Sequence, residues 1–116
     1  MTARSIEWRA AARGDLFAIL DYISDDNPDA AQRLKNEIEV KVSRLATRPR
    51  LYRPGRVAGT REMIVRPNYI VVYAEEGRAV VILRVLHATQ QWPSAGYVGG
   101  VLLASRVALR RLVHGA

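Results

Sequence analysis

The first half of the chain carries hydrophobic residues at a helical period. Four of them follow the i, i+3, i+4, i+7 spacing of one buried helix stripe: Leu16, Ile19, Leu20 and Ile23. This pattern predicts a helix over RAAARGDLFAILDYIS, residues 9–24. The segment before it, RSIEW at residues 4–8, alternates apolar and polar side chains and is therefore predicted to be a short strand.

A second helix is predicted to begin at the NPDA segment. Asn27 is a favourable N-cap, Pro28 fits the first helical position, and Asp29 suits the positive end of the helix dipole. The helical pattern continues to about Thr47, with its inward positions at Ala31, Leu34, Ile38 and Leu45. Because only a short link separates the two helices, they are expected to form a helical hairpin.

The second half of the chain has the pattern of a small sheet. RPRLYRPGRVAG, residues 48–59, contains two prolines and two glycines and is predicted to be an irregular connection. Three strands rich in valine and isoleucine follow, at about 60–65, 69–75 and 79–86. The links RPN and EEG between them are short enough to make the three strands an antiparallel meander.

The order of these elements predicts an α+β fold. An N-terminal strand and a helical hairpin would pack on the antiparallel meander within one domain, residues 1–93. From Ser94 onward three glycines precede a second apolar stripe that is helical from about Val101. Residues 94–116 are therefore predicted to be a C-terminal extension, partly helical or flexible.

Composition narrows the class of protein. Hydrophobic residues make up 49% of the 116 residues, which excludes a disordered chain. No apolar run approaches the roughly 20 residues that span a bilayer, and the first residues lack a signal sequence, so a cytoplasmic protein is expected. There is no cysteine and there are only two histidines, which argues against a zinc site; no cofactor or metal is predicted.

The net charge of +7 is unevenly distributed. Seven acidic residues lie between Asp15 and Glu39, in the helical hairpin. Six arginines then lie in the next segment, where Glu62 is the single acidic residue: Arg48, Arg50, Arg53, Arg56, Arg61 and Arg66. A concentration of arginine indicates either a polyanionic partner, such as nucleic acid or an acidic protein, or a surface that serves solubility alone.

Five segments in this order resemble the RelE/ParE superfamily of toxins from bacterial type II toxin–antitoxin modules. They are IEW near the start, NPDAA at the hairpin turn, GTRE before the sheet, PNYIVVY in the middle strand and ILRVLHATQQWP at the close. The resemblance covers residues 5 to 93. It implies a helical hairpin on an antiparallel sheet, a bacterial cytoplasmic setting, and an oligomeric complex with a cognate antitoxin.

Two activities are compatible with the resemblance. RelE-like members cleave mRNA on the ribosome, and ParE-like members inhibit DNA gyrase on the same scaffold. The sequence is interpreted first as a ribosome-dependent mRNA endonuclease that uses the 2′-OH of RNA without a metal. The alternatives are gyrase inhibition and a basic binding module without activity.

Metal-free RNA cleavage needs a general base, a general acid and a cation on the phosphate. By analogy with the RNase members, His87 is the candidate acid or base and Arg61 the candidate phosphate clamp, and the two are expected to meet where the meander folds back. Glu62 and Tyr69 are possible accessory groups. The candidate phosphate or RNA contacts are Arg48, Arg50, Arg53, Arg56 and Arg84.

Structural roles are also open for the same residues. His87 can cap the last strand with a hydrogen bond, and Tyr69 can be a packing residue. By strand alternation Arg84 faces away from His87, which favours a structural role. Some RNase members carry titratable residues where this chain has Ile64 and Asn68, so its set of acids and bases is smaller.

Overall fold

The fold is given by a computed structural model that describes residues 3–90 and 92–93, together with the backbone of 97–98 and 101–102. Two helices and five strands form the main body. They are, in chain order, β1 (Ser5–Trp8), α1 (Ala10–Asp26), α2 (Pro28–Arg44), β2 (Arg53–Pro54), β3 (Arg61–Arg66), β4 (Tyr69–Glu76) and β5 (Ala79–His87). Within the described ranges no helix is both long and apolar enough to cross a bilayer.

The helical hairpin forms as predicted, and Asn27 is its hinge. The Asn27 backbone N–H donates to the Ile23 carbonyl at 2.9 Å, which closes α1. Its side-chain Oδ1 accepts from the Ala30 N–H at 3.0 Å, which caps α2, and Pro28 occupies the first helical position. One residue therefore satisfies backbone groups at two helix ends, and the hairpin turn is tight.

The sheet is mixed, with the order β1-β5-β4-β3-β2. The meander β3-β4-β5 is antiparallel, as the pattern of short links predicts. β1 lies beside β5 and runs parallel to it, with Ser5 opposite Ala79 and Trp8 opposite Ile82. β2 adds two residues to the other edge, beside Arg61 and Glu62, within the segment that was predicted to be irregular.

The two faces of the sheet are buried by different parts of the chain. The helices cover one face, where the core includes Leu34 and Ile38 of α2 together with Met63, Val71 and Ile82 of the sheet. The opposite face holds a smaller buried group formed by Ile70, Val72, Leu86 and Trp92, with Val57 and Leu83 packed against it. Both faces are therefore apolar, which explains the nearly continuous Val and Ile runs of the strands.

Two bulges interrupt the regular pairing. Ile64 lies opposite Ile70 but Arg66 lies opposite Tyr69, so Val65 is an extra residue in β3. Tyr73 lies opposite Ile82 but Val72 lies opposite Arg84, so Leu83 is an extra residue in β5. A bulge changes which face the following side chains take. The first one places Arg66 on the helix-covered side, where it meets Glu37 of α2.

The C-terminal extension departs from the predicted helix at its first residues. Tyr97–Val98 (β6) pairs antiparallel with Val101–Leu102 (β7), so the backbone is extended at Val101, where a helix was predicted to begin. The remainder of the predicted helix, residues 103–116, lies outside the described residues.

Candidate functional site

Arg61 and His87 do not meet. Arg61 lies opposite Tyr73 on β4, whereas His87 lies opposite Tyr69, four positions along the same strand and on its other side. At roughly 3.3 Å per residue and 4.8 Å per strand, their Cα atoms are about 16 Å apart. The prediction of a shared cleft was wrong, because the first strand of a three-stranded meander begins at the opposite end from where the third strand finishes.

Arg61 supports the arginine-rich connection that precedes β3. Its Nη1 donates to the Tyr52 carbonyl at 2.7 Å, and the side chain is only partly exposed. Nearby, the hydroxyl of Tyr73 donates to the Pro49 carbonyl at 2.7 Å. Burial raises the pKa of Tyr73 to about 12. Both side chains therefore hold backbone carbonyls of the connection and act there as structural groups.

His87 is held at the end of β5 by Thr89. The Thr89 backbone N–H donates to Nδ1 at 3.3 Å, and Thr89 Oγ1 lies 2.7 Å from the same nitrogen. An N–H can only donate, so Nδ1 accepts from the Thr89 N–H in this arrangement. These two contacts fix the position of the imidazole ring at the end of β5.

A row of polar side chains crosses the sheet at the His87 end. Arg66, Tyr69 and His87 lie opposite one another on β3, β4 and β5. The rings of Tyr69 and His87 meet edge to face with centroids 5.6 Å apart, and Arg66 pairs with Glu37 at 3.0 Å. Burial raises the pKa of Tyr69, with a smaller opposing effect from Arg66. The row places Arg66 beside Tyr69 and two strands from His87, whereas the predicted Arg61 lies at the other end of the sheet.

Glu62 is a buried acceptor at the other end of the sheet. Only 2% of its side chain is exposed. Its Oε2 accepts from the Arg56 backbone N–H at 2.9 Å, while Oε1 lies 3.6 Å from Arg53 Nη2 and 3.4 Å from Arg56 Nε. The carboxylate therefore stabilises the turn that carries these two arginines. Arg61 and Glu62 take different partners, as their alternation along β3 predicts.

Gly55 is required by the close approach of this turn to β3. A Cβ at Gly55 would overlap Thr60 Oγ1 and would lie 3.3 Å from Glu62 Cγ. Thr60 cannot yield easily, because its hydroxyl donates to the Val57 carbonyl at 2.6 Å. The turn closes with a bond from the Gly55 N–H to the Thr60 carbonyl at 2.7 Å. A side chain at position 55 would separate these two segments.

Arg48 and Arg50 lie outside this turn and are exposed. Arg50 Nε contacts Glu75 Oε1 at 3.0 Å, with 73% of the arginine side chain exposed. Glu75 also contacts Arg4, at 3.3 Å. Arg48 makes no ion pair with any of the described residues. These two arginines present positive charge to solvent.

Arg84 is a buried structural residue. Its Nε and Nη2 donate to the two carboxylate oxygens of Asp15 at 2.6 and 3.0 Å, and its guanidinium lies 5.6 Å from the centre of the Trp92 ring. Only 1% of the side chain is exposed, so the guanidinium lies apart from the exposed arginines. Asp15 Oδ2 also accepts from the Val85 N–H at 3.0 Å, beyond the point where β1 ends and leaves β5 unpaired.

Asp15 was missed among the acidic residues of the hairpin. Unlike an ordinary solvated carboxylate it is only 7% exposed, and it lies beside the edge of β5. Burial raises the pKa of its carboxyl, against the opposing effect of Arg84. A signal was present in the sequence, because Asp15 is four residues before Ile19 and three after Ala12, both buried on the same stripe of α1.

Comparison with known proteins identifies the family of this chain. Residues 6–92 match the family described as the ParE toxin of type II toxin–antitoxin system, parDE. The chain belongs to the ParE toxin family. It is 40% identical over 93 residues to "Putative toxin Y4kP" of Sinorhizobium fredii, covering 80% of this chain and 97% of that protein. It is 39% identical over 83 residues to toxin RelE2 of Caulobacter vibrioides, covering 72% and 91%.

Solved structures of ParE and RelE toxins share the fold. A chain from the chromosomal ParDE toxin–antitoxin system of P. aeruginosa superimposes with a TM-score of 0.67 and 25% identity, covering 73% of this chain and 96% of that one. A chain of the RelBE2 toxin–antitoxin complex of Mycobacterium tuberculosis superimposes with a TM-score of 0.51 at 24% identity, covering 78% and 97%. The ParE family match ends at Trp92, so residues 94–116 lie outside it.

Proposed function

We propose that this toxin is a ParE-like inhibitor of DNA gyrase that acts by binding protein and does not cleave RNA. The separation of Arg61 from His87 carries the proposal, since they lie about 16 Å apart at opposite ends of the sheet. A phosphate clamp and an acid or base must reach the same phosphodiester, within about 3 Å of its reacting atoms. With its guanidinium held on the Tyr52 carbonyl beside the opposite edge of the sheet, Arg61 is not placed to share one phosphate with His87.

The bonding of both side chains supports the same proposal. Arg61 uses its guanidinium on the Tyr52 carbonyl, and Glu62 uses its carboxylate on the Arg56 N–H. Each would have to give up a bond that shapes the neighbouring connection in order to act on a substrate. A toxin that works by surface contact needs a fixed shape and no such rearrangement.

An antitoxin partner and a bacterial cytoplasmic setting belong to the same proposal. The antitoxin is inferred from family membership and from the ParDE system that shares the fold. Expression of the chain alone is expected to arrest bacterial growth, and co-expression with a protein encoded beside it is expected to restore growth. Normal growth despite soluble expression of the unpartnered chain would contradict a toxin function.

Two assays on the purified toxin distinguish the activities. In a supercoiling assay with purified gyrase, wild-type protein is expected to block supercoiling of relaxed plasmid DNA. In a translation extract, the same preparation is expected to leave ribosome-bound mRNA intact. Cleavage of the mRNA without any effect on supercoiling would overturn the proposal and restore the endonuclease.

The row at the His87 end favours RNA cleavage as the second candidate. There Arg66, Tyr69 and His87 lie opposite one another on neighbouring strands, and His87 is partly exposed. If cleavage is observed, His87→Gln is expected to lower its rate by about 10²–10⁴-fold, because glutamine cannot exchange a proton near neutral pH. Arg61→Lys, at the other end of the sheet, is the matched control and is expected to retain cleavage.

A further inference from the structure

The connection between α2 and β3 is fixed from behind by the sheet. Three side chains of β3 and β4 bond to its backbone: Tyr73 to the Pro49 carbonyl at 2.7 Å, Arg61 to the Tyr52 carbonyl at 2.7 Å, and Glu62 to the Arg56 N–H at 2.9 Å. Tyr73 and Glu62 are buried. A connection with two prolines and two glycines is thus held in one shape without a partner, which lowers the entropy lost on binding.

The outward side of this connection combines positive charge with an exposed apolar side chain. Residues 48–60 contain four arginines and no acidic residue. The carboxylates that face them are Glu62, shared by Arg53 and Arg56, and Glu75, shared by Arg50 and Arg4. Arg48 has no ion pair among the described residues, and Leu51, whose N–H donates to the Arg48 carbonyl at 3.4 Å, is 60% exposed. The connection therefore retains an excess of positive charge around an apolar centre.

We propose that Arg48, Arg50 and Leu51 form a docking surface for an acidic segment of a partner protein. Arginine matches carboxylate oxygens with a planar fork, and Arg50 already binds the carboxylate of Glu75 within the chain. An exposed leucine beside arginines is typical of a protein interface, where apolar anchors and arginine are enriched, and it adds nothing to contact with a DNA phosphate. That the partner is gyrase rests on the proposed function; the acidic specificity of the surface does not.

The test uses a matched pair of double variants of the full chain. Arg48→Glu/Leu51→Ser reverses one charge and removes one exposed apolar side chain at the surface. Arg33→Glu/Val40→Ser makes the same two changes on α2, where Arg33 is exposed and Val40 is 50% exposed. All four residues are exposed, so both variants are expected to fold, and thermal melts check this.

Binding is measured by fluorescence anisotropy with two labelled probes, a glutamate-rich peptide and a DNA duplex of similar net charge. Wild-type toxin is expected to bind the peptide more tightly than the duplex, with an affinity that falls as salt rises. Arg48→Glu/Leu51→Ser is expected to weaken peptide binding by about tenfold or more, and the α2 variant to leave it within about twofold.

Three outcomes would overturn the inference. The first is tighter binding of the duplex than of the peptide by wild-type toxin, which would identify a nucleic-acid surface. The second is equal weakening by both double variants, which would show an effect of net charge alone. The third is unchanged peptide binding by Arg48→Glu/Leu51→Ser. The supercoiling assay separates the two proposals, since wild-type toxin that binds the peptide but spares gyrase contradicts only the proposed function.

Discussion

At the scale of single residues, the ion pair between Asp15 and Arg84 joins the first helix to the last strand of the sheet. Both side chains are buried, and the carboxylate accepts two bonds from the guanidinium and one from the Val85 N–H. Removing one partner of a buried pair leaves the other charge without compensation in a medium that solvates it poorly. The pair therefore matters to stability even though neither residue contacts a substrate.

Asp15→Asn is expected to lower the free energy of unfolding by about 3–5 kcal/mol, because Arg84 keeps its charge but loses its counterion. Urea denaturation at pH 7 measures the loss. Lys35→Ala is the control, since it removes an exposed pair with Glu39 and is expected to cost less than about 1 kcal/mol. Equal costs for the two variants would show that burial of the Asp15 pair adds nothing.

The raised pKa of Tyr73 predicts that the protein loses stability at alkaline pH. Its folded pKa of about 12 lies above the ordinary value of 10.0, so the folded state favours the neutral hydroxyl. This preference contributes fully to the free energy of unfolding below pH 10, and the contribution is lost as the pH rises from about 10 toward 12. Tyr73→Phe is expected to be less stable by about 0.5–1.5 kcal/mol at pH 7 and to lose less stability between pH 9 and 11.5, as followed by melting curves. Parallel curves for both proteins would contradict this.

At the scale of elements, two glycines in different settings give opposite predictions. Gly14 lies within α1, where an added Cβ would meet no neighbouring atom within 4 Å, whereas Gly55 lies against Thr60 and Glu62. A glycine within a helix costs backbone entropy that alanine does not. A glycine at a close contact excludes a side chain that the structure cannot accommodate.

Gly14→Ala is therefore expected to raise the free energy of unfolding by about 0.5–1 kcal/mol. Gly55→Ala is expected to lower it by about 1–3 kcal/mol, because Thr60 and Glu62 must move away from the new methyl group. Denaturant melts of the two variants beside wild type measure both effects. A neutral Gly55→Ala would mean that the connection adjusts without cost and is less rigid than its bonds indicate.

The strands show which parts of the fold the sequence could predict. Periodicity and short links were enough for the helical hairpin and the meander, because both depend on contacts between neighbours in the chain. The parallel place of β1 beside β5 and the bulges at Val65 and Leu83 depend on distant contacts and leave no local signal. The separation of Arg61 from His87 could have been anticipated by counting strands. In a meander of three antiparallel strands, the start of the first strand and the end of the third strand lie at opposite ends of the sheet.

At the scale of the whole molecule, Trp92 is a buried residue close to the predicted boundary of the domain. It is 3% exposed and packs with Ile70, Val72 and Leu86 on the face of the sheet opposite the helices. The strands β6 and β7 pair with each other in a separate sheet of two strands. The family match ends at Trp92 as well. The predicted boundary after residue 93 stays a prediction.

A chain that ends at Pro93 is expected to fold and to melt in one cooperative transition. A chain that ends at Thr89 lacks Trp92 and is expected to lose about 3–5 kcal/mol, the usual cost of deleting a large buried aromatic side chain. Circular dichroism melts of both truncations against the full chain measure the difference. Loss of the cooperative transition in the Pro93 chain would assign residues 94–116 to the core.

The parallel pairing of β1 with β5 has a consequence for how the toxin is made. Asp15 and Arg84, whose ion pair lies next to the end of this pairing, are 69 residues apart in sequence. In the sheet, β5 lies between β1 and β4. On a ribosome the helical hairpin emerges early and can form from local contacts, but β1 has no strand to pair with until β5 has been synthesised. A chain released before that point can pair β3 with β4 but has no partner for β1, so interrupted synthesis of this toxin yields a product without its complete sheet.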